Sequence, residues 1–261
     1  MTKAFLGLAW TAAGACLLVA SGCSRAARTE GDAEGFAGSA SCRQCHENFY
    51  ALWSTSHHGL AMQPVTEDFA RQKLTPQAEP VEIGGSRFRV DVETREVLEE
   101  GPGGTRRYPM VHAMGGKNIY YLLTPLERGR LQVLPLAYDV NEKEWYDAAG
   151  SMVRHFTDGT EDTPLSWRDP QLTFNTACFG CHVSQLSKNY DPKTDTYRTA
   201  WREPGINCES CHGPAAEHVR VCLAAPTNPP PEDLKLISMK RMTPVQSDET
   251  CATCHAKLRP V

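Results

Sequence analysis

The sequence predicts an α+β chain, mainly irregular and α-helical, with a small antiparallel β-sheet inserted at about residues 80–150. Three observations carry that expectation. A Cys-x-x-Cys-His motif occurs four times, beginning at Cys42, Cys178, Cys208 and Cys251, and each copy needs one helical turn to bring its side chains together. About 120 residues between His58 and Cys178 hold no such motif, which is too many for a linker, and they contain short runs of alternating polarity. Long amphipathic helices are few, so short helices and irregular connections are expected elsewhere.

Residues 1–22 read as a signal peptide. Lys3 precedes an apolar run over residues 4–20 that is short and rich in Ala and Gly, and so would span a bilayer poorly. Ala20-Ser21-Gly22 then leads into Cys23, a pattern similar to the lipobox of bacterial lipoproteins, in which Cys23 would be acylated and become the new N-terminus. Simple secretion with an incidental Cys23 is the alternative. Residues 23–41 are mostly Gly, Ala, Ser and charge, with Phe36 the one sizeable apolar side chain, so they cannot bury a core and read as a flexible tether. Ser24 after the cysteine resembles outer-membrane sorting. The expected place is the periplasmic side or outer membrane of a Gram-negative-type bacterium, reached by export and held by a lipid anchor.

The 261 residues are 41% hydrophobic and 22% charged, ordinary for a globular chain. The formal charge is −4, and a chain starting at Cys23 loses Lys3 and carries −5. This acidic balance argues against nucleic acid as a partner and favours docking to a basic patch on a redox protein. Eleven cysteines and nine histidines need a chemical explanation, and their spacing supplies it.

The motifs are Cys42-Arg43-Gln44-Cys45-His46, Cys178-Phe179-Gly180-Cys181-His182, Cys208-Glu209-Ser210-Cys211-His212 and Cys251-Ala252-Thr253-Cys254-His255. Two thiols three residues apart on one turn can add to the two vinyl groups of a haem, and the next residue then offers an imidazole to the iron. The frequencies of Cys and His in this chain predict about 0.02 such motifs by chance. A zinc ribbon would pair its Cys-x-x-Cys units without a following His each time, and thioredoxin-like redox sites need a strand and helix pattern that is missing. Four covalent haem c groups are expected, with His46, His182, His212 and His255 as proximal ligands. Of the other cysteines, Cys16 and Cys23 belong to the leader region, and Cys222 reads as a small buried residue, with an intermolecular disulfide as the alternative.

Five histidines remain for four sixth positions: His57, His58, His112, His155 and His218. Closure of every iron by a second imidazole suits electron relay, whereas one open iron would signal a reaction with a small molecule. The first motif is followed by Trp53-Ser54-Thr55-Ser56-His57-His58, expected on the same helix, with Phe49, Leu52 and Trp53 as an apolar stripe. The third is followed by Gly213-Pro214, a turn that throws His218 away from its own motif. The motif followed by Trp-x-x-Ser-x-His-x-x-Ala (Trp53, Ser56, His58, Ala61), together with Cys-x-x-Cys-His-Gly-Pro and a downstream His (Gly213, Pro214, His218), resembles the cytochrome c-554-like multihaem family. That family includes longer relatives with tetratricopeptide repeats, and the likeness covers about residues 38–220. It implies a multihaem cytochrome c fold with His58 and His218 as distal ligands, often to a haem other than the nearest in sequence. His112 and His155 are candidates for the remaining irons, and His57 is the spare.

In the insertion, Phe88, Val90 and Val92 alternate with Arg87, Arg89 and Asp91 after Gly84-Gly85. Leu131 and Val133 alternate with Arg130 and Gln132 after Arg128-Gly129, and residues 120–123 form another strand candidate. The sheet is read as a platform packed beneath the haems in preference to a docking lid, because four haems need apolar cover. Beyond the third motif, residues 226–231 are a proline-rich break, Glu232-Asp233 leads a short helix candidate, and Ser247-Asp248-Glu249 is expected to cap the helix of the fourth motif. Only residues 256–261 follow His255, so either the chain continues naturally beyond Val261 or the fourth haem lies at an exposed end against a partner.

The domain reading is residues 1–22 as leader, 23–41 as tether and 42–261 as a tetrahaem domain. The expected function is electron transfer between a redox-protein donor and acceptor, with a small-molecule substrate only if one haem is open. In that alternative the protein is a reductase of a nitrogen oxyanion or hydroxylamine.

Overall fold

A computed structural model describes residues 35–153, 157–160, 162–225 and 231–256. Cys23 and His155 therefore lie outside the described residues, as do the leader and most of the tether. Helix α1 (Ser39–Arg43) carries Cys42 and α2 (Glu47–Ser54) follows it. The expected single helix from the first motif to His58 is not formed. His46 leaves helical geometry (φ −121°, ψ 44°), and α2 stops where the hydroxyls of Ser54, Thr55 and Ser56 donate back to the carbonyls of Ala51, Leu52 and Trp53. Phe49 and Leu52 are exposed.

Nine strands then follow in place of a small sheet, with one α-helix and one short 3-10 turn (Glu127–Gly129) among them. They are β1 (Met62–Pro64), then α3 (Glu67–Lys73), β2 (Val81–Ile83), β3 (Ser86–Asp91), β4 (Glu96–Gly101), β5 (Gly104–Pro109), β6 (His112–Met114), β7 (Ile119–Pro125), β8 (Leu131–Asp139) and β9 (Glu144–Asp147). All pairings are antiparallel, in a four-stranded sheet β2-β3-β4-β5 and a five-stranded sheet β1-β6-β7-β8-β9. The predicted turn at Gly84-Gly85 joins β2 to β3 with both residues at positive φ, the geometry a two-residue hairpin demands.

The five-stranded sheet is buried on both faces. Tyr120 and Leu122 of β7, with Leu134, Leu136 and Tyr138 of β8, meet Phe88, Val97 and Tyr108 of the other sheet and Phe69 of α3. Met62, Met114, Leu123 and Val133 face the opposite way, onto Phe174, Val183, Cys178 and Phe179. Double-sided burial explains the departure from the expected alternation at Gln132. Its side chain is 1% exposed, its Nε2 donates to the carbonyls of Trp167 and Asp169, and its Oε1 accepts from Thr173.

The second half is short-segmented: α4 (Phe174–Ala177), α5 (Phe179–His182), β10 (Val183–Ser184), β11 (Tyr190–Asp191), β12 (Thr196–Tyr197), β13 (Glu203–Pro204), α6 (Glu209–His212), α7 (Ala216–Ala224) and α8 (Pro244–His255). The helix expected at Glu232-Asp233 is not formed. Asp233 Oδ1 accepts from Lys235 N–H in a local turn, and Lys235 takes a positive φ of 52°. Helix α8 starts earlier than expected, because Thr243 and Gln246 close a capping box and Pro244 occupies its first turn. No helix among the described residues is long and apolar enough to cross a membrane.

Candidate haem-binding site

All four motifs adopt one helical turn. Main-chain bonds close it at Cys45 N and His46 N to Cys42 O, Cys181 N to Cys178 O, and Cys211 N and His212 N to Cys208 O, and α8 contains the fourth motif entire. The turns lie against one another. Cys42 neighbours Cys208, and burial first, then that thiol, pushes the Cys42 thiol up to about 11. Burial, then Cys251 and Cys254, raises the Cys211 thiol. Cys254 Sγ donates to Gly180 O at 3.4 Å, and Cys181 Sγ lies 3.7 Å from Cys254 O. In space the order is thus first, third, fourth, second.

The Trp-x-x-Ser-x-His-x-x-Ala segment serves as a positioning device. Trp53 Nε1 donates to Ile206 O at 2.7 Å, Ser56 Oγ accepts from Gly59 N–H at 3.2 Å, and Ile206 N–H donates to His58 O at 2.9 Å. Ala61 O accepts from His182 Nδ1 at 2.6 Å. His212 Nδ1 donates to Ile237 O at 2.9 Å and His218 Nδ1 to Leu234 O at 2.8 Å. A carbonyl only accepts, so in each of these three rings Nδ1 carries the proton and Nε2 keeps its lone pair for a metal. Nothing in the sequence signals these carbonyl partners, which are brought in from 16 to 121 residues away.

Two histidine pairs come together. His46 and His218 stack with ring centroids 6.4 Å apart and an interplanar angle of 15°, and His58 meets His255 at 6.1 Å and 58°. Two imidazoles sharing one metal at about 2 Å per bond stand about 6.3 Å apart between centroids, so both separations fit an iron with a histidine on each side. His112 begins β6, is half-buried with its ring 5.3 Å from Trp201, and its buried Nδ1 has no hydrogen-bond partner among the described residues. Burial holds its pKa below the ordinary value. His57 is exposed. Met62, Met110 and Met114 are buried in the cores. Cys222 is half-buried with Sγ 3.6 Å from His218 Nδ1.

Among the described residues no group of three or more His, Cys, Asp or Glu could hold a bare metal ion. The donor set suits a cofactor that brings its own equatorial ligands, attached through paired cysteines and bound by one or two histidines.

That set defines a multihaem c-type cytochrome with covalently held haem c. The family model described as cytochrome c554 and c-prime matches residues 41–83 and 145–213, and over those two segments the chain resembles that family. The gap between the matched segments falls on much of the sheet region. Among solved structures, the outer cell wall cytochrome OcwA is similar in fold, with a TM-score of 0.50 and 18% identity over 85% of this chain. The undecahaem cytochrome from the S-layer of Carboxydothermus ferrireducens aligns over 85% of the chain at 19% identity with a TM-score of 0.42. The chain spans 37% of the first structure's length and 26% of the second's. No curated protein matches it.

Proposed function

We propose that this chain is an exported tetrahaem cytochrome that passes electrons between redox-protein partners, tethered to a membrane through acylated Cys23. The observation that carries the reading is the adjacency of four Cys-x-x-Cys-His turns with two histidine pairs at metal-sharing separation. Haem c supplies a one-electron Fe(III)/Fe(II) couple when bound.

The protein's own residues attach and orient. Cys42 and Cys45, Cys178 and Cys181, Cys208 and Cys211, and Cys251 and Cys254 form the thioethers, while His46, His182, His212 and His255 give the proximal nitrogens. His218 would serve as second ligand with His46 at the first site and His58 with His255 at the fourth, each coming from the segment after a different motif. His112, His155 and His57 are the candidates for the second and third sites. The inner face of the five-stranded sheet packs on Cys178 and Phe179, which supports its role as an apolar platform at the second site.

Pyridine haemochrome absorbance and intact mass of the matured protein test the count. Four haems per chain are expected, and three or fewer would overturn the tetrahaem reading. In His218→Ala and His58→Ala, low-temperature EPR should each turn one low-spin ferric haem high-spin. Stoichiometric CO binding to the reduced wild type would instead favour a reductase with an open haem. The mature N-terminus, read by mass spectrometry, should be an acylated Cys23.

A further inference from the structure

Two glutamates outside the ligand and attachment positions tie the first motif to the third. Glu209, between Cys208 and Cys211 in sequence, is 3% exposed. Its Oε1 accepts from the main-chain N–H groups of Ala37 and Ala215, and its Oε2 from that of Gly38, each at 2.8 Å. Glu203 Oε1 accepts from Ser39 N–H at 2.8 Å, and its Oε2 from Ser39 Oγ at 2.7 Å and Asn207 Nδ2 at 2.8 Å. These bonds run from residues 37–39, which lead into α1 and Cys42, to residues 203–215, which flank Cys208. Ala216 N–H, donating to Gly35 O at 2.8 Å, extends the seam. At its far end Cys42 lies beside Cys208.

We propose that Glu203 and Glu209 form an acidic clamp that fixes the first and third haem sites against one another and holds their reduction potentials down. The inference rests on haem c attachment at Cys42 and Cys208, as proposed above. Negative charge favours the more positive ferric state over the ferrous one. Both oxygens of Glu209 are satisfied by main-chain amides, which fix the carboxylate in place while leaving its net charge intact, in surroundings that screen less than water. Its position inside the third motif aims that field first at the third haem. Glu203 meets Ser39 at the start of α1 and acts more on the first. Both are positioning residues, because neither touches iron.

The test is a spectroelectrochemical titration of the fully matured protein and its Glu209→Gln, Glu203→Gln and Glu209→Asp variants, with haem content and thermal midpoint measured alongside. Glu209→Gln should raise at least one haem component by about 59 mV, a tenfold change in its one-electron equilibrium. Glu203→Gln should move a component the same way by less. Glu209→Asp should lower the thermal midpoint while keeping potentials near wild type, which separates charge from structure. Wild-type potentials in Glu209→Gln at full haem content overturn the clamp alone. If Glu209→Gln does not mature, Glu203→Gln decides by the same criterion. Wild-type peptides of Cys42 or Cys208 found without haem overturn both the clamp and the reading beneath it.

Discussion

His112 shows how a single side chain couples burial to pH. Its ring is half-buried beside Trp201, its Nδ1 is buried without a partner among the described residues, and desolvation lowers its pKa in the folded state. The unfolded chain then binds the proton more readily, near the ordinary value of about 6.5, so the folded state loses stability as pH falls below that value. If no iron takes this ring, the denaturant midpoint should drop between about pH 7 and about pH 5 and His112→Phe should flatten part of that drop, whereas an iron-bound His112 would leave no such titration. Equal pH slopes in the two proteins would remove His112 from the account. At the same scale, the Nδ1–carbonyl bonds of His182, His212 and His218 fix which ring nitrogen is free.

At the scale of elements, the approach of the His58 loop to the second motif depends on Gly205. It sits after β13 with φ 77°, its N–H donates to His182 O, and a Cβ there would lie 2.6 Å from Gly59 O and 2.9 Å from His58 O. Gly205→Ala combines a left-handed backbone with a clash against main chain, costing about 1–3 kcal/mol. Thermal unfolding should register that loss, and the EPR signal assigned to the His58 site should broaden or turn high-spin. An unchanged midpoint would mean the loop yields freely. The last helix carries a separate device: Thr243→Ala removes the capping hydroxyl and should cost about 1 kcal/mol by the same measurement.

For the whole molecule, the five-stranded sheet is the shared wall between two cores, one against the four-stranded sheet and one against the second motif. Leu122 is fully buried in the first core. Leu122→Ala should cost about 2–5 kcal/mol in chemical denaturation. Haem spectra below the transition should be retained, because the emptied volume faces away from the motif. Loss of the Cys178–Cys181 haem before unfolding would show that the two faces are not independent.

The covalent chemistry was legible in the sequence because it is local: Cys-x-x-Cys-His closes on one turn, so spacing alone exposes it. Trp53, Ser56 and Ala61 were legible as a motif, but the tasks of Trp53 and Ala61 were not, since their partners, Ile206 O and His182 Nδ1, lie far along the chain. The insertion was readable as antiparallel strands from alternation at Phe88 and Val90. Its size was not, because burial on both faces erases alternation in β8 and leaves Gln132 inside. Only the tertiary structure decided that the motif turns run first, third, fourth, second, that His46 faces His218 and His58 faces His255, and that Glu203 and Glu209 bind residues 37–39 to the segment around the third motif. These glutamate bonds span 164 to 172 residues and the fourth-to-second motif contact 73, and for such contacts composition and spacing carry no signal, since any buried acceptor can meet any distant amide once the chain has folded.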